Sequence, residues 1–158
     1  MVWKNLQRGH LPTKTHSSIK LISINKLRKY SQEKLMDLNN PDGTGELKIT
    51  RMTIESDCAS FDFEGQVEGY GSVFCTHVLE PVDGDRTRGV LSGEARTFLT
   101  DGTLITTPHR GTFKREESTL KAYFTDAVNN GAVNFVIWDI DILTKDVKVS
   151  YWEISSPN

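Results

Sequence analysis

The stretch "GEARTFLTDGTLITTPHRG", residues 93–111, decides how this chain folds. Apolar and polar residues alternate on both sides of Asp101-Gly102, and Asp-Gly between alternating runs is a strong short-range hairpin signal. A two-residue turn there pairs Thr100 with Thr103, Phe98 with Ile105, Arg96 with Thr107 and Glu94 with His109. Stepping by two keeps the last three pairs on one face. Leu99, Thr97, Ala95, Leu104, Thr106, Pro108 and Arg110 fall on the other face.

Working outward, the period stays at two from residue 46 to the end. Eight strands are expected: 46–54, 58–64, 70–80, 87–99, 103–114, 118–126, 133–143 and 147–154. Pro81–Asp85, Asp101-Gly102, Arg115–Glu117, Asn129–Gly131 and Leu143–Asp146 punctuate them. Such short connections cannot make parallel crossovers, so the strands form an antiparallel meander. Closure would remove its unpaired edges. The expected fold is all-β: an eight-stranded antiparallel up-and-down barrel over 45–158. Before it, residues 1–44 form an N-terminal arm (to about 16) and one short helix at about 25–38. That helix ends at Asn39-Asn40-Pro41-Asp42-Gly43.

The neighbouring hairpins suggest which face is inside. Across the loop near 115–118, Phe113 would oppose Leu120, Gly111 would oppose Ala122, and His109 would oppose Phe124. The apolar set Leu120, Ala122 and Phe124 puts the Glu94–His109 face toward the core. On the preceding strand, Val73, Cys75, His77 and Leu79 would oppose Glu94, Ser92, Val90 and Arg88. The connection there is long enough for a one-residue slip, which would invert the assignment. In the last hairpin, Asn134, Val136, Trp138, Ile140 and Ile142 share an inward face with Val147, Val149, Tyr151 and Glu153. Asp139 and Asp141 point outward, with Asp141 opposite Lys148, and do not form a carboxylate dyad. Cys75 points in and Cys58 out, so no disulfide is expected. Outward Phe74, Val78, Leu91, Leu99 and Leu104 suggest a covered exterior, by the helix or in a homo-oligomer.

The expected interior site joins Glu94, Arg96 and His109 as the acid–base and anion-holding groups. His77, Cys75, Phe98, Phe113, Phe124, Trp138 and Tyr151 form its substrate-binding wall. A carboxylate beside a histidine can orient the ring and fix its tautomer, and the histidine can move a proton near neutral pH. The same residues could instead be a self-satisfied structural network, since buried charges need partners either way. His77 and His109 lack compact metal-ligand spacing, and no cofactor is expected. "GQVEGYG" (65–71) opens no helix and reads as turn chemistry rather than a phosphate cradle.

Composition bounds the rest. The 158 residues are 25% charged and 37% hydrophobic with net charge −2, which favours a globular chain and gives no electrostatic case for nucleic acid. No apolar run reaches the length of a membrane span. The N-terminal residues have no apolar leader core, so a cytoplasmic location is expected.

The runs "GYGSVFCTHVLEP" and "RGVLSGEARTFLTDGTLITTPHRGTFKRE" resemble small bacterial barrels of the allene-oxide-cyclase-like superfold, which include a domain family of unknown function. The likeness spans about residues 45–154 and extends to the dirigent proteins. It implies a barrel that holds a flexible, mostly apolar substrate, and it supplies no residue-by-residue catalytic motif. Three functions follow as expectations. One is a cofactor-free isomerase or cyclase acting on a small hydrophobic metabolite. The others are a non-catalytic carrier barrel and a structural, oligomeric barrel with a filled interior.

Overall fold

In the computed structural model, which describes residues 36–157, the expected strands are all present. They are β1 (Gly43–Ile54), β2 (Ala59–Val67), β3 (Gly71–Pro81), β4 (Arg88–Phe98), β5 (Leu104–Glu116), β6 (Thr119–Ala127), β7 (Val133–Asp141) and β8 (Asp146–Ser155). Each pairs antiparallel with the next, and β1 pairs with β8, so the sheet closes into a barrel without a free edge. The arm and most of the expected helix lie outside the described residues. The end of that helix does not hold: Leu38 and Asn39 lie in a turn in which Asn40 N–H donates to the Asp37 carbonyl at 3.0 Å. No helix among the described residues is long and apolar enough to cross a membrane.

The alternation that marked the strands also fills the barrel. Leu47, Phe61, Phe63, Val73, Leu79, Phe113, Leu120, Phe124, Trp138, Ile140, Val147 and Val149 are all buried in one core cluster. An eight-stranded barrel is about as wide as its own inward side chains can fill, and these side chains occupy most of this one. Cys75 belongs to the same core, Cys58 is half-buried, and both thiols are free.

Register corrects the central hairpin. Phe98 pairs with Leu104, Arg96 with Thr106, Glu94 with Pro108 and Gly93 with His109. The connection has three residues, Thr100 to Gly102, rather than two. Gly102 N–H donates to Leu99 O at 2.9 Å, Leu99 N–H to Thr103 O at 3.0 Å, and Thr103 N–H to the Asp101 carboxylate at 2.9 Å. Gly102 has φ +85°, as expected where a type I turn is followed by a left-handed residue. One extra residue sends the whole of β4 to its other face. Leu91, Ala95 and Thr97 are therefore buried, whereas Glu94, Arg96 and Phe98 face out. β3 follows the same correction: Cys75 pairs with Ala95, His77 with Gly93 and Leu79 with Leu91. The β5–β6 pairing differs from expectation by two residues, with Phe113 opposite Ala122 and Gly111 opposite Phe124. An even shift leaves the inward face unchanged.

Candidate functional site

Gly93 stands between two histidines. It pairs with His77 on β3 and with His109 on β5, and all three face inward. A Cβ on Gly93 would collide with the His77 ring and the Thr76 carbonyl. With no side chain there, the imidazoles reach each other across the strand, and His77 Nε2 lies 2.8 Å from His109 Nδ1. Trp138 stacks on His77 with centroids 4.4 Å apart, and Phe124 lies 4.6 Å from His109. Phe63 meets His77 edge-on at 5.3 Å. Burial in this aromatic shell penalises a charged imidazole. It pushes His77 well below its usual pKa, with His109 as a second cause, and pushes His109 down to about 3, with Arg110 contributing. Both rings are neutral at pH 7.

His109 also borders a cavity of about 50 Å³ at the end of the barrel where the β2–β3, β4–β5 and β6–β7 turns lie. Tyr70, Thr107, Asp126, Asn134, Trp138 and Tyr151 share its wall. Asp126 pairs directly with His109 in the β5–β6 ladder and with Asn134 in the β6–β7 ladder. One Asp126 oxygen accepts from Asn134 N–H at 3.0 Å and from its side-chain amide at 2.9 Å. The same amide donates to the Tyr70 hydroxyl at 2.8 Å. Burial outweighs these two bonds and raises the Asp126 carboxyl to about 6. The Tyr70 and Tyr151 hydroxyls are shifted up, first by burial. The mouth thus presents a carboxylate that titrates near neutrality, opposite a neutral histidine, within a mostly apolar wall.

The expected site residues separate into three groups. His109, Phe124, Trp138 and Tyr151 line the mouth. His77 lies behind His109 and borders a deeper void of only about 10 Å³, while Cys75 and Phe113 are core residues that line neither space. Glu94, Arg96 and Phe98 are the correction. Glu94 and Arg96 pair with each other at 3.4 Å on the outer surface, with about half of each side chain exposed. Phe98 is 46% exposed and meets Phe74 edge-on outside the barrel. Leu91, expected outside, is in the core. No Glu94–His109 pair forms, and its place is taken by Asp126–His109. The signal for Asp126 was present in β6, where the inward series Leu120, Ala122, Phe124 extends by two to reach it.

Two other features compete with the mouth. A wider concavity, about 700 Å³, lies on the outer surface around Lys121, Tyr123 and Asp139. Its Lys121–Asp139 and Lys114–Glu116 pairs, at 2.9 and 2.6 Å, are exposed ion pairs of the ordinary solvated kind. Glu55, Asp57 and Cys58 bring their ligand atoms within 4.8 Å of one another. Glu55 and Asp57 are exposed, and exposed acidic groups gathered in this way are common without a bound ion. In comparisons with known proteins, no family model, no curated protein and no solved structure matches this chain.

Proposed function

We propose that the protein is a small-molecule-binding barrel that catalyses a cofactor-free isomerisation or cyclisation at the Tyr70–Tyr151 mouth. The ligand is small and largely apolar, and only its head enters the barrel. A cavity of about 50 Å³ is well below the several hundred Å³ of a typical enclosed ligand site, so the rest of the ligand lies against the tyrosine rim. The observation that carries the reading is Asp126, a carboxyl raised to about 6 and set opposite His109. A base with a pKa near the working pH is the efficient kind. The Asp126 carboxylate would take a proton from a ligand carbon, and the C–H electron pair would move into the ligand π system. The proton then returns at a second carbon, the carboxylate is regenerated, and nothing is oxidised or reduced. The suggested likeness to allene-oxide-cyclase-like barrels belongs with this reading.

The experiment is solvent-proton incorporation. Small unsaturated and cyclic molecules that perturb Trp138 are incubated with the protein in D₂O and followed by mass spectrometry. Wild-type protein is expected to add deuterium at carbon, and Asp126→Asn to abolish this while still binding. Binding without incorporation would make the barrel a carrier. A second reading, a filled structural barrel, is favoured by the small cavity volume and by the exposed Phe74, Phe98 and Leu104 on the outer face. It predicts no ligand at the mouth and self-association through that face.

A further inference from the structure

Each neutral imidazole has one N–H and one lone pair, so the His77–His109 bond can be made in two ways. In the first, His77 Nε2–H donates to His109 Nδ1. His77 Nδ1 is then a bare lone pair, and His109 carries its proton on Nε2. In the second, His109 Nδ1–H donates to His77 Nε2. His77 must then carry its proton on Nδ1, and His109 Nε2 is a bare acceptor. His77 Nδ1 is fully buried and has no partner among the described residues. An orphaned buried N–H is rarer in proteins than an under-satisfied acceptor, which favours the first arrangement. With Nδ1 bonded to His77, Nε2 is the nitrogen His109 has left for the mouth cavity it lines.

We propose that His77 is a positioning residue that holds His109 as an Nε2–H donor, making the mouth selective for a ligand with a neutral carbonyl oxygen. This rests on the mouth being a binding site, as set out above. Two further observations point to the same ligand chemistry. Trp138, another wall of the cavity, has a buried indole N–H without a partner among the described residues, a donor for such an oxygen, while Asn134 Oδ1 on the same wall is an unpartnered acceptor that would take a donor elsewhere on the ligand. Among the described residues no lysine or arginine lines the cavity and Asp126 does, so a carboxylate is repelled there while an uncharged oxygen acceptor is not. A carbonyl held by His109 is also the group that would acidify an adjacent C–H for Asp126.

The test has two independent arms. Long-range ¹H–¹⁵N correlation on the ligand-free, full-length protein reads the tautomers directly. The expected result is a protonated Nε2 and an unprotonated Nδ1 on His109. The second arm titrates cyclopentanone, methylenecyclopentane and cyclopentanecarboxylate against Trp138 fluorescence. The ketone is expected to bind roughly tenfold more tightly than the alkene of the same shape, the scale of one hydrogen bond, and the carboxylate not at all. His77→Phe removes the donor and should cut the ketone's advantage to about threefold or less. His77→Gln keeps an N–H and should restore it. An Nδ1-protonated His109, or equal binding of ketone and alkene to the wild type, overturns the proposal. If none of the three probes binds, the binding reading beneath it falls as well.

Discussion

Asp126→Asn should make the protein more stable above pH 6, although it removes the proposed base. Burial holds the Asp126 carboxyl at about 6 against 3.8 for an ordinary aspartate. Folding therefore favours the protonated form. This contribution is fully present below pH 3.8, and it is lost as pH rises through about 6. At 1.36 kcal/mol per pKa unit, keeping a carboxylate there at pH 7.5 costs about 3 kcal/mol. Asparagine has nearly the same shape and no charge, and its Oδ1 can still accept from the Asn134 backbone and side-chain amides that now bond Asp126. The expected gain is up to about 3 kcal/mol at pH 7.5 and close to zero at pH 3.5. Urea denaturation of both proteins at the two pH values measures it, and effects common to both cancel in the difference. A variant that is less stable at pH 7.5, or whose difference from wild type is the same at both pH values, would refute the reasoning. The first result would mean that the carboxylate is paired in a way that offsets its burial. Stabilisation on removing a functional group is the usual sign of a site kept at some cost to the fold.

The histidine pair acts in the opposite direction on acidification. Folding depresses both pKa values, so their contribution is fully present above pH 6.5 and is lost as pH falls toward 3. His109 alone accounts for about 5 kcal/mol over that range, more than the about 3 kcal/mol Asp126 returns. The wild type should therefore lose stability between pH 6.5 and 4, and unchanged urea midpoints across that window would contradict the buried neutral pair. Gly93→Ala drives a methyl group into the His77 ring and the Thr76 carbonyl and should cost about 2–3 kcal/mol by overpacking; a change within 0.5 kcal/mol on chemical denaturation would mean that the strand has room. Glu94→Gln and Arg96→Gln alter an exposed surface pair and should shift stability by about 0.5 kcal/mol or less. They should also leave ketone binding unchanged; loss of that binding would return these residues to the interior.

The order and closure of the eight strands were legible because the turns are closely spaced and the last hairpin is strongly patterned. Val136, Trp138 and Ile140 with Tyr151, Val149 and Val147 left one sensible inward face, and it is the observed one, although the expected register, with Asp141 opposite Lys148, is two residues off: Lys148 pairs with Asp139. Errors elsewhere mattered only by parity. The two-residue error between β5 and β6 kept every inward residue inward, whereas the one-residue error at Asp101-Gly102 inverted β4. β4 was open to that error because its inward positions are Gly89, Leu91, Gly93, Ala95 and Thr97, mostly too small to announce a core face. Phe98 and the Glu94–Arg96 pair on the other face carried the stronger signal. The small residues have a structural reason. Neighbouring strands lie about 4.8 Å apart, so histidines on β3 and β5 are separated by two such steps. They can touch only if the strand between them presents no side chain at their level. Gly93 meets that need, and the same absence hid the face from a reading based on hydrophobic alternation. A strand can thus lose its pattern because of what it accommodates, and local rules are expected to fail first beside a site. A weakly patterned strand between two histidine-bearing neighbours is therefore itself a pointer to the interior network. Applied here, it would have set Gly93 rather than Glu94 opposite His109, and sent the search for the missing acid to Asp126 on β6.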